Sequence, residues 1–320
     1  MQTFLSRAAG VSAACLFSVG VWAQTVSIST LPPGSINNVQ TQAIAKVVQK
    51  ASGIQMRVIT FNSSTASMGA VQAGQAAFTF MSNDELGAAV RGREAHKGKP
   101  MDKLRLAAMV FPFKVGILVR KDSGINSVAD LKGKRFPIGW QGFPQGIPLS
   151  NAMLATAGLS LDDTKGVATA NLLRAADDFK AGRLDATIFA IGAAKMAEVD
   201  AAVGIKFLNL EDTDKARSAM AAVRPEYTVA AQKPLPHLKG VIGTTNLMEY
   251  AMTVTASADA DDETVYKLVK ALHRNRDALV ASHPSFMAMN PAKLATQSKG
   301  IKFHPGAIRF YKEVGIWPNS

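Results

Sequence analysis

The sequence predicts an α/β protein of two lobes, with parallel-rich sheets flanked by helices and a cleft at the hinge between them. Three observations predict it. Short β-type runs alternate with apolar patterns at helical spacing, the arrangement that covers both faces of a sheet with helices. The alternation starts afresh near Lys121, as a second unit would. Residues 223–245 then carry three prolines and no periodicity, the mark of a loop or crossover.

In the first unit, Val26 to Ser29 reads as a strand. Ile36, Val39, Ala43, Ile44, Val47 and Val48 follow at helical spacing, with Ser35 placed to cap the helix and Gly53 to stop it. Met56 to Phe61 is a second strand, and Ala66 to Ala73 a short helix closed by Gly74. Ala77 to Met81 is a third strand, followed by a helix over Glu85 to Val90. Leu104 to Val110 and Val115 to Val119 read as two further strands.

In the second unit, Ser127 and Asp130 have the spacing of a capping-box variant. Arg135 to Gly139 is a strand. Pro148 suits the first turn of a helix running to Ala157, where a missing N–H costs nothing. Asn171 to Ala181 is a helix, Leu184 to Phe189 a strand, and a helix toward Val199 precedes a strand over Ile205 to Leu208. Met248 to Ala256 resumes strand character. Val265, Leu268, Val269 and Leu272 form one apolar face behind the acidic pair Asp261 and Asp262, which suits a helix start. Two units imply two sheets, with crossing strands near 112–120 and within 223–250. The expected lobes are residues 24–115 plus 247–320, and residues 116–246.

The first 23 residues read as a secretory signal. Arg7 precedes an apolar run from Ala8 to Val21, and Val21 and Ala23 sit three and one residues before an expected cleavage site. The run falls short of the roughly 20 residues that span a bilayer. Cleavage after Ala23 implies a periplasmic protein. It also removes Cys15, the only cysteine, and with it any thiol nucleophile, thiolate metal site or disulfide. At 48% hydrophobic and 19% charged the chain is globular. Its formal charge of +12 is scattered, and the densest group, Lys132, Lys134 and Arg135, is interrupted by Gly133. No aromatic and basic stripe resembles a nucleic-acid platform. The charge reads as solvated surface with a bias toward anionic ligands, and no nucleic-acid partner is expected.

In open α/β sheets ligands bind beyond the carboxyl ends of the strands, where helix starts present unpaired N–H groups. That rule selects five loops. Thr30 to Ser35, with Leu31, is the first, and Asn62 with Ser63, Ser64 and Thr65 the second. Ser82 and Asn83 form the third. The fourth runs from Gly139 to Gly146 and carries Trp140, Gln141, Phe143 and Gln145. Ala190, Ile191 and Gly192 form the fifth, and Phe113 on an expected crossing strand is a further candidate. Hydroxyls, amides and aromatics suit a small ligand held by hydrogen bonds between apolar walls. Each also has a plainer reading: helix caps for the hydroxyls, packing for Trp140 and Phe143, turns for the glycines.

The search for catalysis is negative. The histidines, His96, His237, His273, His283 and His304, include no pair four apart, so no zinc-binding helix pair exists. There is no G-x-S-x-G elbow and no Walker loop. Asp177 with Asp178, and Asp261 with Asp262, are adjacent and diverge on a helix. No catalytic residue, metal or cofactor is expected.

Five segments carry a family resemblance: Asp130 to Arg135 (DLKGKR) with its following strand, Lys180 to Ala186 (KAGRLDA), Ala190 to Gly192, Val265 to Leu272 (VYKLVKAL) and His304 to Glu313 (HPGAIRFYKE), the most specific of them. With these the chain resembles the TAXI class of substrate-binding proteins, receptors of TRAP (tripartite ATP-independent periplasmic) transporters, over about residues 25–317. The resemblance implies a type II periplasmic-binding-protein fold that closes like a clam shell and does no chemistry on its ligand. It implies an integral-membrane TRAP permease as partner and a small organic acid as ligand: a dicarboxylate, a 2-oxo acid or a glutamate-like molecule. Two loops depart from the pattern. The first reads LPPGSINN over Leu31 to Asn38 instead of a glycine-rich stretch. The second-lobe loop, usually G-x-x-G-S-G-T, reads GWQGFPQG over Gly139 to Gly146 and lacks its Ser and Thr. Those departures point to a larger or more apolar carboxylate, aromatic acids included. A receptor for an ATP-driven importer of sulfonates, nitrate or thiamine precursors, an exported α/β enzyme and a two-lobed sensor are the competing readings.

Overall fold

A computed structural model describes residues 25–33 and 35–318. The expected signal segment, Cys15 and Gly34 lie outside those residues. The first layer forms as the sequence dictates. β1 (Thr25–Thr30) pairs in parallel with β2 (Gln55–Thr60) and β3 (Phe78–Ser82). α1 (Ile36–Ser52) follows β1, capped by Ser35, whose hydroxyl accepts from the Asn38 N–H. It ends at Gly53, whose φ of 75° is the left-handed conformation a helix C-terminus favours. Its buried face is Ala43, Ile44, Val47 and Val48. α2 (Ser64–Gln72) and α3 (Asn83–Val90) follow β2 and β3.

The two expected runs around residue 110 are one strand, β4 (Leu104–Arg120), which passes through Pro112. Pro112 is exposed, between Met109, whose N–H bonds the Leu294 carbonyl at 2.9 Å on β4's outer edge, and the β7 ladder that starts at Val115. A proline is tolerated on such an edge. Beyond it come β5 (Arg135–Gly139), α4 (Gly146–Ala155), β6 (Lys165–Thr169), α5 (Leu172–Lys180), β7 (Ala186–Ala190), α6 (Ala194–Val203), β8 (Ile205–Phe207) and α7 (Asp214–Val223). The aperiodic stretch contains β9 (Thr228–Gln232) and leads into β10 (Thr245–Ser257). α8 (Asp262–Arg274), α9 (Arg276–Ser282) and α10 (Pro305–Glu313) complete the chain, with α8 packed against α1 and α10. The box expected at Ser127 and Asp130 is half formed: the Asp130 carboxylate reaches back to accept from the Ser127 N–H, and also from the Asn126 N–H, both at 2.9 Å, ahead of a 3-10 turn.

Two sheets form, but not one for each expected unit: eight strands share a sheet of order β2-β1-β3-β10-β4-β7, with β9 on β10 and β8 on β4, and β5 and β6 make a separate two-stranded sheet. The reason is the length of β4 and β10. β10 pairs with β3 from Met252 to Ala256 and with β9 from Thr245 to Glu249. β4 pairs with β10 as far as Val115, then takes up β7 and β8. Each long strand therefore serves both ends of the sheet. Among the named strands, parallel ladders join β1 with β2 and β3, and β5 with β6, while every ladder of β4 and β10 is antiparallel; β4's isolated bridge from Leu106 to Phe303 is parallel. The β5–β6 pair extends the β7 edge through an Asp185 N–H to Arg135 carbonyl bond of 3.0 Å.

Candidate functional site

Three helices begin around one small cavity. α2 starts with Ser64 and Thr65, α3 with Asn83, Asp84 and Glu85, and α4 at Gly146, directly after Pro144 and Gln145. Each start carries N–H groups without helical partners and a partial positive charge. Ser64, Thr65, Glu85, Gln145 and Arg224 are among the residues that line a cavity of about 40 Å3, as are Met68, Glu94, His96 and Pro144. A larger hollow of about 310 Å3, lined by Tyr266, Lys267, Lys270 and Arg274, lies on the outer face of α8 away from this cluster.

Behind the cavity sits a buried polar cluster. Asp84 is fully buried. Its carboxylate accepts from Gln145 Nε2 at 3.0 Å to each oxygen, from the Tyr227 hydroxyl at 2.7 Å, and from Arg224 Nη1. Arg224 also pairs with Glu94 through Nε, at 3.0 Å, and Nη2. Arg91 pairs with Glu226 at 2.7 Å beside it. This pair lies against the bare backbone of Gly87, where a Cβ would come within 2.3 Å of Glu226 Oε1. Gln145 Nε2 reaches Ser82 Oγ at 3.3 Å, and Ser82 donates to Glu85 at 2.9 Å.

The cluster perturbs its members in directions that follow from burial and charge. Burial, then the charge of Asp84, raises the Glu85 carboxyl, against a lowering by the Ser64 and Ser82 hydroxyls. Burial, and after it Asp84, pushes the Tyr227 phenol well up, so it stays a donor. Burial raises Glu226 against the pull of Arg91, and lowers His96. For Arg224 burial acts downward, but the charge of Asp84, with Tyr227 and Glu94 adding to it, outweighs burial and leaves the guanidinium more firmly charged.

The loop residues singled out from sequence divide. Ser64, Thr65 and Gln145 line the cavity, and Ser82 stands at its edge. Ser63 caps α2, accepting from the Ala66 N–H at 3.2 Å. Asn83 is tied to the sheet, its Oδ1 accepting from the Ala251 N–H at 2.9 Å. Leu31 holds Asn38 Nδ2 through its carbonyl at 3.0 Å. Trp140 is fully buried, edge-on to Phe143 at 5.9 Å and against Gly146, the first residue of α4. Gln141 is exposed. Phe113 packs on Tyr250 at 5.5 Å. Ala190 ends β7, and Ile191 and Gly192 follow it, where the Ile191 N–H bonds the Lys114 carbonyl. Neither Phe113 nor this last loop lines the cavity.

Asp84, Glu85, Glu94, Arg224, Glu226 and Tyr227 escaped sequence reasoning. Asp84 falls between the Ser82–Asn83 loop and the helix expected from Glu85, and Arg224 to Tyr227 lie in the aperiodic stretch. A signal was present: Asp84 and Glu85 stand directly after a strand, where the ligand rule places sites. Backbone strain marks the same place. Among the described residues, the non-glycine positions with positive φ are Glu94 at 53° and Trp140 at 46°.

Two hydroxyls and helix starts face the cavity, whereas the Arg224 guanidinium and the Gln145 amide are engaged by Asp84 and Glu94 and grip an outside anion only once those pairs open. Among the described residues no group of three or more His, Cys, Asp or Glu side chains could hold a metal ion, and no helix is long and apolar enough to cross a membrane.

The sequence profile of the NMT1-like family matches residues 33–315. Among solved structures, the chain is similar to a TctC solute binding protein from Polaromonas, at 16% identity and a TM-score of 0.54, covering 83% of this chain and 89% of that one. It is also similar to the alkanesulfonate-binding protein SsuA from Xanthomonas axonopodis pv. citri bound to MOPS, at 17% identity and a TM-score of 0.52, covering 92% and 94%. An amino acid ABC transporter substrate-binding protein from Streptococcus pneumoniae bound to L-arginine matches at 16% and 0.50, covering 82% and 95%. At such identities the likeness shows the fold, the two-lobed α/β fold of periplasmic binding proteins.

Proposed function

Since the chain belongs to the NMT1-like family and folds as a two-lobed binding protein, we propose that it is a periplasmic receptor that binds a small organic anion between its lobes and delivers it to a membrane transporter. The observation that carries this reading is the convergence of the α2, α3 and α4 starts with Arg224 on one cavity. Oriented N–H groups and a guanidinium are the complement of a carboxylate. The lobes are residues 24–115 with 247–320, and residues 116–246. The change of β4's partners at Val115 to Leu118 supports that division. Pro144, from the bulky Gly139 to Gly146 loop, lines the cavity with Met68, which supports a ligand with apolar bulk, such as an aromatic acid, alongside dicarboxylates, 2-oxo acids and glutamate-like molecules.

The transporter is of the TRAP type, a reading supported by the TAXI-like segments, His304 to Glu313 above all. Thermal-shift screening against the four acid classes tests the ligand. A tight binder raises stability by about 2.7 kcal/mol at a hundred times its dissociation constant. If no acid moves the melting temperature, the ligand class is wrong. Uptake of the identified acid by cells then tests the transporter. Loss of uptake on collapsing the ion gradient fits TRAP, while uptake that follows ATP assigns the receptor to an ABC importer.

A further inference from the structure

The carboxylate gripped at this site belongs to the chain itself. Asp84 stands on α3, in the first lobe. Its three donors come from the other side: Gln145 from the start of α4, Arg224 from the end of α7, and Tyr227 from the approach to β9. Glu94 takes the remaining face of Arg224, and Arg91 and Glu226 form a second crossing pair. An amide, a phenol and a guanidinium closing on one buried carboxylate is the arrangement a receptor uses to hold a carboxylate solute. Here each donor already has its acceptor within the chain.

We infer that Asp84 is an internal latch: it holds the lobes shut in the absence of solute, and a solute must displace it from Arg224 to bind. The cavity left inside the latch is about 40 Å3. That is room for a few waters, against roughly 300 Å3 or more for pockets that enclose organic ligands. Entry of a solute therefore requires the latch to open. Opening returns Asp84 and Arg224 to water, which hydrates both charges, so the latch is reversible. The latched fraction also sets apparent affinity: if the competent form is one part in ten, affinity is about tenfold weaker than intrinsic.

The latch deepens the receptor reading, but its test needs no solute. Small-angle X-ray scattering is measured on the protein refolded from guanidinium, which strips any carried solute. The expected result is a radius matching the closed structure for the wild type and a larger radius for Asp84→Ala and Arg224→Ala. An open wild type overturns the latch, because closure then depends on a solute. Variants that stay closed overturn it as well. If either single variant loses its circular-dichroism melt, the isosteric Asp84→Asn, which removes the charge that Arg224 holds and keeps the side chain's shape, decides by its radius. Failure of every acid in the thermal screen would leave the scattering result standing.

Discussion

Gln145 Nε2 lies 3.0 Å from both carboxylate oxygens of Asp84, a residue 61 positions earlier in the chain. A single amide thus reads the charge state of a buried acid across the site. Gln145→Glu keeps the shape and replaces the donor with a second acid. We expect the variant to melt several degrees below wild type at pH 8 and to recover most of the loss at pH 5, where one of the two acids takes up a proton. Equal loss at both pH values would show that the amide matters only for packing. Differential scanning fluorimetry at the two pH values measures it.

Glu85 gives a pH dependence of known sign. Burial and Asp84 raise its folded pKa above the unfolded value. The folded state therefore favours the protonated carboxyl. Its contribution to stability is full below the unfolded pKa and is lost as pH rises through the folded one. Glu85→Gln imitates the protonated form. It is expected to raise the melting temperature at pH 8 and leave it nearly unchanged at pH 4.5. A variant that is less stable at pH 8 would sink this account.

Trp140 is fully buried and its ring lies against Gly146, where a Cβ would stand 2.4 Å from indole Cδ2. Trp140→Ala should cost about 3–5 kcal/mol of stability, and Gly146→Ala about 1–3 kcal/mol by overpacking. Urea unfolding measures both. If Trp140→Ala instead keeps its stability and loses solute binding, the ring faces the ligand.

Ser64 and Asn83 are expected to part company. Asn83 accepts a main-chain N–H from β10. Asn83→Ala leaves that donor without its partner and should cost about 1–3 kcal/mol, whereas Asn83→Asp retains an acceptor and loses less. Ser64→Ala should leave the melting temperature within a degree or two, yet weaken binding of a screened acid by about 1 kcal/mol, roughly fivefold. Calorimetric titration of both variants distinguishes the roles, and equal loss of fold in both would reduce Ser64 to a helix-start residue.

Much of the fold was legible because it rests on local rules. Ser35 and Asn171 mark helix starts by side-chain hydrogen bonds, Gly53 marks a helix end by a left-handed φ that the lack of a Cβ permits, and α8 shows its buried face as a period. Two features were not legible. The continuity of β4 through Pro112 depends on a neighbour's absence along one edge, which no local pattern encodes. The polar cluster depends on Asp84, Gln145 and Arg224 meeting, and each alone has an ordinary explanation. The loop rule found Ser64, Thr65 and Gln145, yet passed over Asp84 and Glu85 directly after Asn83.

The long strands β4 and β10 also order events in time. β3 completes its ladder only with β10, and β10 exists only after the chain has run from Leu104 through every element up to Thr245. The first-formed strands thus wait with an open edge while the inserted portion is made. Pairing so distant in sequence is slow to close, and an unpaired edge invites association with other chains meanwhile. Refolding should accordingly be slow and limited by concentration, with the inserted portion acquiring protection against hydrogen exchange before β3 does.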